Sequence, residues 1–212
     1  MTREEILRVP TLTPGARRIL QVASELFYRR GIHAVGVDTI AAESGLTKRT
    51  LYDRFGSKEK LVTVYLQARH EAWWARLEQR IAEARAPRVL AVFDAYLGDP
   101  LATDRGCAFL NAAGELPVGH PAHRVVRAHK QAVRRRLAEL LQGEVDDPDA
   151  TADHLFLLLE GGVAHRGVDR HDHLLSAART MAERLVGAAA QDGPPVAPVD
   201  GGADSRWKTQ AP

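Results

Sequence analysis

The stretch DTIAAESGLTKRTLYDRFGSKEK, residues 38–60, constrains the fold of this chain more than any other. It contains two short helical segments separated by a Gly-containing turn, and a third helix follows at once. Asp38 is suited to cap the first segment, and Gly45 to end it in a left-handed conformation. Thr47 is suited to cap the second segment, residues 48–55. This pattern predicts a helix-turn-helix unit.

The second short helix has two contrasting faces. Leu51 and Phe55 are four residues apart, so they share one face, which we expect to be buried. The opposite face carries three cations, a hydroxyl and a phenol: Lys48, Arg49, Thr50, Tyr52 and Arg54. Such a helix fits the DNA major groove, where Arg and Lys donate to guanine. A solvated basic helix in a packing unit has the same pattern, so the chemistry alone leaves both interpretations open.

The remaining apolar residues recur with helical spacing, and no β-strand alternation or internal repeat occurs. Thr13 and Pro14 predict the start of a helix that ends at Gly31, and a long helix is expected from Ser57 to about Arg85. Further helices are predicted over residues 88–97, 106–116, 122–141, 151–166 and 172–190. The fold class is therefore all-α, with about nine helices in an N-terminal three-helix domain and a larger C-terminal helical domain.

Three pieces of sequence, taken in order, resemble the N-terminal domain of the TetR family of transcriptional regulators. They are ILQVASELFYRRG, IAAESGLTKRTLY and the step F-x-x-K-E-x-L, and the likeness runs from about Ala16 to Val62. Arg49 is a departure, since many members carry a small residue or Pro there. The resemblance implies a transcriptional repressor that binds a palindromic DNA operator as a homodimer and is released by a small-molecule effector in its second domain.

The predicted DNA contacts lie on and beside the second short helix. We expect Lys48 and Arg49 to reach bases or nearby phosphates, and Arg54 to do either. The other candidates should mainly fix the helix on the DNA backbone. The full set is Thr39, Thr47, Lys48, Arg49, Thr50, Tyr52, Arg54 and Lys58.

Charge and composition agree with this assignment without establishing it. Residues 1–60 hold eleven Lys and Arg against seven Asp and Glu, whereas the other 152 residues hold eighteen against twenty. The basic excess thus lies in the segment that would contact phosphates. A single cysteine, Cys107, excludes an intramolecular disulfide, and no secretory signal or membrane span is recognisable. We expect a cytoplasmic protein.

Four parts of the chain are predicted. Residues 1–13 form a flexible arm, residues 14–60 the helix-turn-helix domain, and residues 61–190 the effector-binding and dimerisation domain. The tail, residues 191–212, is rich in Pro, Gly and Asp and is expected to be disordered.

The last two predicted helices are expected to form the dimer interface. They are rich in apolar and small residues, including the run Gly161-Gly162-Val163-Ala164. Two such helix pairs about a two-fold axis would make a four-helix interface. Ordinary packing within one chain remains the alternative.

Aromatic side chains with a few polar anchors in the second domain are candidates for an effector pocket. Asn111 stands out because it lies in an otherwise apolar helix, where a buried amide needs a partner. For each residue singly, core packing is the alternative. The candidate set is Trp73, Phe93, Tyr96, Cys107, Phe109, Leu110, Asn111, Glu115, His129, Phe156 and Glu160.

The sequence leaves two rival functions open. The pairs His120/His123 and His171/His173 suggest a metal-dependent enzyme, but catalytic zinc needs three converging ligands and neither pair has an evident third. We therefore predict no metal, no cofactor and no enzymatic activity. The other rival is a constitutive DNA-binding regulator without an effector, whose first domain would look the same.

Overall fold

The computed structural model describes residues 2–99 and 105–189, and those residues form ten α-helices, one 3-10 turn (Arg88–Leu90) and no strand. The all-α prediction is confirmed, and nine of these helices have at least seven residues. The predicted disordered tail lies outside the described residues. The helices are α1 (Arg3–Leu7), α2 (Pro14–Arg30), α3 (Val37–Ser44), α4 (Lys48–Phe55), α5 (Lys58–Glu83), α6 (Ala91–Leu97), α7 (Ala108–Glu115), α8 (Ala122–Leu141), α9 (Pro148–Asp169) and α10 (His173–Ala189).

Helix α1 lies in the stretch predicted to be a flexible arm, and here the structure differs from the prediction. The Thr2 hydroxyl accepts from the Glu5 backbone N–H at 3.2 Å, and the Thr2 N–H donates back to the Glu5 carboxylate, which is a capping box. Leu7 is buried, and the Val9 N–H donates to Glu71 at 2.7 Å. The segment is ordered because it packs against α5 and α8, a contact that no local pattern announces.

Helices α2, α3 and α4 form the N-terminal three-helix core. The Thr13 hydroxyl caps α2 by accepting from the Ala16 N–H at 3.3 Å, as the Thr-Pro signal predicts. Ile19, Ile40 and Leu51, one from each helix, have no exposed surface. Burial of these side chains fixes the angle between α3 and α4.

Helix α5 connects this core to the rest of the molecule. Ser57 caps its first turn, and Tyr65 packs edge-on against Phe27 of α2, with ring centroids 5.6 Å apart. Further along the same helix, Leu77 and Ile81 are buried in the second domain. One continuous 26-residue helix therefore belongs to both cores.

Helices α6 to α10 build the second domain around α5. The bounds of α8 match the prediction, whereas α9 begins earlier than expected because Asp147 caps it, accepting from the Ala150 N–H at 2.9 Å. A Cβ at Gly162 would lie 2.7 Å from the Leu175 Cα, so glycine is required for α9 and α10 to pack this closely. Within residues 2–99 and 105–189, no helix is long and apolar enough to cross a bilayer.

Candidate DNA-binding and ligand-binding sites

The turn between α3 and α4 has the geometry that its sequence indicates. Gly45 ends α3 with φ 70°, in the left-handed region that favours glycine. Thr47 then caps α4, because its hydroxyl accepts from the Thr50 N–H at 3.1 Å and lies 2.9 Å from the Thr50 hydroxyl. These local bonds fix the start of α4.

Helix α4 buries one face and exposes the other. Leu51 and Phe55 are 0% and 3% exposed, whereas the Arg49 side chain is 90% exposed. Tyr52 and Arg54 are also exposed. The buried pair anchors the helix, so the cationic face is presented to solvent on a rigid support.

Lys48 and Asp38 form an ion pair across the turn. Their Nζ and Oδ1 atoms are 2.6 Å apart, and both side chains are at least half exposed. The hydrogen bond to Asp38 raises the pKa of Lys48. The prediction that Asp38 caps α3 is wrong: the cap is Gly36 without a side-chain bond, because the helix begins at Val37 and leaves Asp38 inside its first turn.

The remaining predicted DNA contacts lie around the same surface. Thr39 is half-buried in α3, and Lys58 is half-buried in the first turn of α5. Burial lowers the pKa of Lys58, and the nearby Glu115 carboxylate opposes that shift. The eight candidates thus lie on α3, on the turn before α4, on α4 and at the start of α5.

A cavity lies in the second domain between α5, α6, α7, α8 and α9. The centre of a water-sized sphere can occupy only about 20 Å³ of it. That is room for about one water. Its walls are formed by Arg69, Trp73, Tyr96, Asp99, Gly106, Cys107, Ala108, Phe109, His129, Val163 and Arg166.

The aromatic walls of the cavity are in contact with one another. Phe109 stacks on His129 with ring centroids 3.7 Å apart, and Trp73 lies 4.7 Å from Tyr96. The Nδ1 atom of His129 is 3.0 Å from Nδ1 of His70, so one of the two rings must donate to the other. Burial lowers the pKa of His70 to about 4 and that of His129 well below its usual value, so both are neutral at neutral pH.

Ion pairs surround this aromatic cluster. Asp99, which is 6% exposed, lies 3.0 Å from Arg76 and 3.8 Å from Arg69. Arg166 donates to the Tyr96 carbonyl at 2.6 Å and pairs with Asp172 at 2.6 Å.

Behind the cavity, Lys130 pairs with Glu160 at 2.7 Å. The Lys130 ammonium also lies 3.6 Å from the Cys107 sulfur and 5.9 Å above the Tyr96 ring.

Five of the predicted ligand-binding residues line the cavity: Trp73, Tyr96, Cys107, Phe109 and His129. The other six do not. Phe93 is buried in the core, Glu160 is held by Lys130, and Leu110 and Phe156 pack partly buried against the core. The Asn111 amide donates to the Arg105 carbonyl at 2.8 Å, so its partner is the backbone.

Sequence reasoning did not find the other six wall residues. Arg69 and Arg166 are charged residues on helices and Asp99 is a charged residue in a loop, and such positions suggest a solvated surface. Arg166 could have been recognised as a candidate because it is an arginine within the apolar run of α9. Gly106, Ala108 and Val163 carry no polar group that would draw attention.

Glu115 is the sixth predicted ligand-binding residue that does not line the cavity. It joins the two domains. Its Oε2 atom accepts from the backbone N–H groups of Ile32, at 2.6 Å, and His33, at 3.2 Å. Its other oxygen lies 3.2 Å from Arg105. We call these bonds the Glu115 clasp; they fix the end of α7 to the loop between α2 and α3.

The start of α7 is held as closely as its end. Tyr28 of α2 donates its hydroxyl hydrogen to the Gly106 carbonyl at 3.2 Å and accepts from the Arg105 N–H at 3.0 Å. A Cβ at Gly106 would lie 2.8 Å from the Gly167 nitrogen of α9. Helix α7 thus forms a cavity wall at one end and contacts the N-terminal domain at both.

Helices α9 and α10 expose large apolar side chains. Leu157 is 70% exposed, Val168 74%, and Met181 54%. A Cβ at Gly161 would meet no neighbour within 4 Å, so that part of α9 is open. We call Leu157, Gly161, Val168, Leu174 and Met181 the α9–α10 face.

The predicted histidine pairs are engaged locally. His120 accepts from the Ala122 N–H at 3.1 Å, and a ring nitrogen of His123 lies 3.2 Å from the Leu116 carbonyl. In the part of the chain that the structure describes, no three His, Cys, Asp or Glu residues are grouped as metal ligands.

Comparisons with known proteins agree on one family. A family model described as "Bacterial regulatory proteins, tetR family" matches residues 19–64. The crystal structure of SCO4454, a TetR-family transcriptional regulator from Streptomyces coelicolor, is 31% identical, with a TM-score of 0.74, and the match covers 83% of this chain and 96% of that one.

More distant matches add detail. The HTH-type transcriptional regulator YjdC of Escherichia coli is 30% identical over 126 residues, 58% of this chain and 65% of YjdC. The chain spans 23 to 65% of the length of the curated relatives that it matches. A transcriptional regulator from Saccharomonospora viridis, crystallised in complex with choline, has the same fold at 19% identity, with a TM-score of 0.67 and coverage of 81% of this chain and 94% of that one.

Proposed function

Because the chain belongs to the TetR family of transcriptional regulators, we propose that it represses transcription by binding a palindromic DNA operator as a homodimer. A small-molecule effector in the second domain releases the DNA. The family consists of regulators and not of enzymes, which agrees with the predicted absence of catalysis.

The orientation of α4 carries the DNA-binding part of the proposal. Its apolar residues are buried, and its cations and Tyr52 face solvent on a helix of the size that enters a major groove. Arg49, whose side chain is 90% exposed, is assigned a base contact. Lys48 reaches bases or phosphates once DNA competes with Asp38, while Thr47, Thr50 and Lys58 position the helix on the backbone.

The α9–α10 face supports the homodimer. Large exposed apolar side chains mark interaction surfaces when they lie together on one face. A second copy related by a two-fold axis would cover the same face on both chains. Such a dimer would set two copies of α4 about 34–36 Å apart, one turn of DNA.

The cavity and the Glu115 clasp support effector release. The cavity has room for about one water, so a ligand must displace a wall to enter. The wall formed by Cys107, Ala108 and Phe109 is the start of α7, and the same helix ends at the clasp. Displacement of α7 would therefore pull on the loop that precedes α3. The choline complex of the Saccharomonospora viridis regulator supports a ligand site within this fold.

Selection of bound DNA from a random pool, with the full chain, tests the proposal. A palindromic consensus with half-sites one helical turn apart is expected. Arg49→Ala should relax the preference at one position by about 1–3 kcal/mol. Arg85→Ala, which removes an exposed arginine between α5 and α6, is the matched control.

Three outcomes would change the assignment. Enrichment of no sequence, or of one without two-fold symmetry, would refute operator binding by a dimer. An equal loss on all sequences with Arg49→Ala would make Arg49 a phosphate contact. A constitutive regulator would bind the same palindrome but show no ligand-dependent release.

A further inference from the structure

Helix α1 forms one side of an open groove whose other sides are α5 and α8. The groove is lined in part by Leu7 of α1, His70 and Trp74 of α5, and Ala132 of α8. The centre of a water-sized sphere can occupy about 390 Å³ of it. A space of that size accommodates a small organic molecule, whereas the cavity has room for about one water.

Side chains form the boundary between this groove and the cavity. His70 lines the groove, and its Nδ1 atom lies 3.0 Å from Nδ1 of His129, which lines the cavity. The neighbouring tryptophans are divided in the same way, because Trp74 lines the groove and Trp73 the cavity. Displacement of the His70 ring would therefore connect the two spaces.

At the junction of α7 and α9 the cavity is closed by backbone instead. A Cβ at Gly106 would lie 2.8 Å from the Gly167 nitrogen, so no side chain there could move aside to make an opening. Side chains rearrange more readily than packed helices separate. Of these two boundaries, the one at His70 is the easier to open.

Helix α1 is held in place by few contacts. It has five residues, too few for a helix that is stable by itself, and Leu7 is its buried residue. The Gln67 amide donates to the Ile6 carbonyl at 2.8 Å, and the Val9 N–H donates to Glu71 at 2.7 Å. A short, lightly packed segment opens at a lower free energy than the whole fold.

We propose that α1 is a gate that controls access to the cavity. While α1 is docked, Leu7 packs beside His70 in the groove and the route to the cavity is closed. When α1 detaches, the His70 ring is free to turn outward, and a small molecule passes from the groove toward His129. Entry of an effector by this route rests on the proposed function, whereas the gate itself concerns only access to the cavity.

Cys107 provides a direct measure of that access. It is the single cysteine of the chain, lines the cavity and is 7% exposed. Alkylation of the full chain by iodoacetamide, followed by intact-mass spectrometry, gives the rate at which a small molecule reaches the thiol. The urea-unfolded chain gives the rate for a fully accessible thiol.

Three variants are expected to speed alkylation of the native protein. Leu7→Ala weakens the docking of α1 and should raise the rate at least about tenfold. Gln67→Ala removes only the bond to the Ile6 carbonyl, a smaller perturbation, and should raise it about threefold. His70→Ala removes the ring between the groove and the cavity and should also raise the rate at least about threefold.

Leu46→Ala is the matched control for loss of stability. It truncates a partly buried leucine in the turn between α3 and α4, outside the groove and the cavity. Its alkylation rate should stay within about twofold of the unaltered protein. Low concentrations of urea should change the native rate little, because detaching α1 exposes much less surface than global unfolding.

The outcomes separate the gate from the proposed function. Alkylation of Leu7→Ala and His70→Ala no faster than that of Leu46→Ala would overturn the gate. A native rate that rises with urea as steeply as global unfolding would overturn it as well, because Cys107 would then react only in the unfolded chain. Failure of operator selection would refute the proposed function, while faster alkylation of the three variants would still support the gate.

Discussion

Removing the Glu115 carboxylate should destabilise the N-terminal domain measurably. In Glu115→Ala the Ile32 and His33 N–H groups lose their acceptor, and Ile32 is only 4% exposed. A buried donor without a partner costs about 1–3 kcal/mol, and the half-buried contact with Arg105 adds up to about 1 kcal/mol. The expected loss in the free energy of unfolding is therefore about 1–4 kcal/mol.

Thermal unfolding followed by circular dichroism measures this loss. In a chain of this length about 1 kcal/mol shifts the melting temperature by roughly 2–4 °C, so a decrease of about 2–16 °C is expected. Glu115→Gln keeps one acceptor oxygen and should lose about half as much. Protein concentration must be held constant, because a dimer's melting temperature depends on it.

Glu83→Ala is the matched control for this prediction. Glu83 is an exposed carboxylate at the end of α5, so its removal should change stability by no more than about 0.5 kcal/mol. A melting temperature of Glu115→Ala within about 1 °C of the control would show that the Glu115 clasp does not stabilise the protein.

Other perturbations have equally defined outcomes. Lys58→Ala should weaken DNA binding on all sequences and reduce the salt slope by about one, and an unchanged slope would exclude a phosphate contact. Leu157→Glu should be monomeric in light scattering. Val118→Glu should remain dimeric, because this 94% exposed valine lies outside the α9–α10 face. A dimeric Leu157→Glu variant would refute this interface. Asp38→Asn should release Lys48 from its ion pair and tighten DNA binding about 2–5-fold. Glu43→Gln, at the other end of α3, is the control. Weaker DNA binding by Asp38→Asn would mean that the ion pair positions Lys48 for DNA. The folded-state pKa of His70 is about 4, which lies below its unfolded value. The unfolded chain therefore binds more protons than the folded chain between about pH 6.5 and 4. The free energy of unfolding should fall by on the order of 1–2 kcal/mol as pH is lowered through that range. His70→Gln should flatten this dependence in melting experiments, and an unchanged slope would assign it elsewhere.

The helix-turn-helix unit was predictable because its signals are local. Thr47, Gly45 and Gly56 define the ends of α3 and α4 within a few residues of the helices they bound, and the structure has α4 at the predicted bounds. Leu51 and Phe55 identified the buried face in the same way. Hydrogen bonds between residues three or four apart need no knowledge of the tertiary fold.

Contacts between distant residues were not predictable in this way. Helix α1 is ordered by surfaces on α5 and α8, and its five residues are too few to show a periodic pattern. Glu115 in an apolar helix suggested a ligand anchor, but its partners are backbone N–H groups more than 80 positions away. Asn111 also suggested a ligand contact, but the Arg105 carbonyl, six positions away, satisfies its amide.

The close approach of α7 and α9 has an evolutionary consequence. Gly106 has φ 64°, and a side chain there would strike the Gly167 nitrogen, while a Cβ on Gly167 would lie 2.9 Å from the Arg105 carbonyl. At each glycine a side chain would collide with backbone atoms, and a substitution at the other position cannot remove those atoms. Selection should therefore retain both glycines together in every descendant that keeps this junction, and loss of either would mark a lineage in which the cavity wall has been rebuilt.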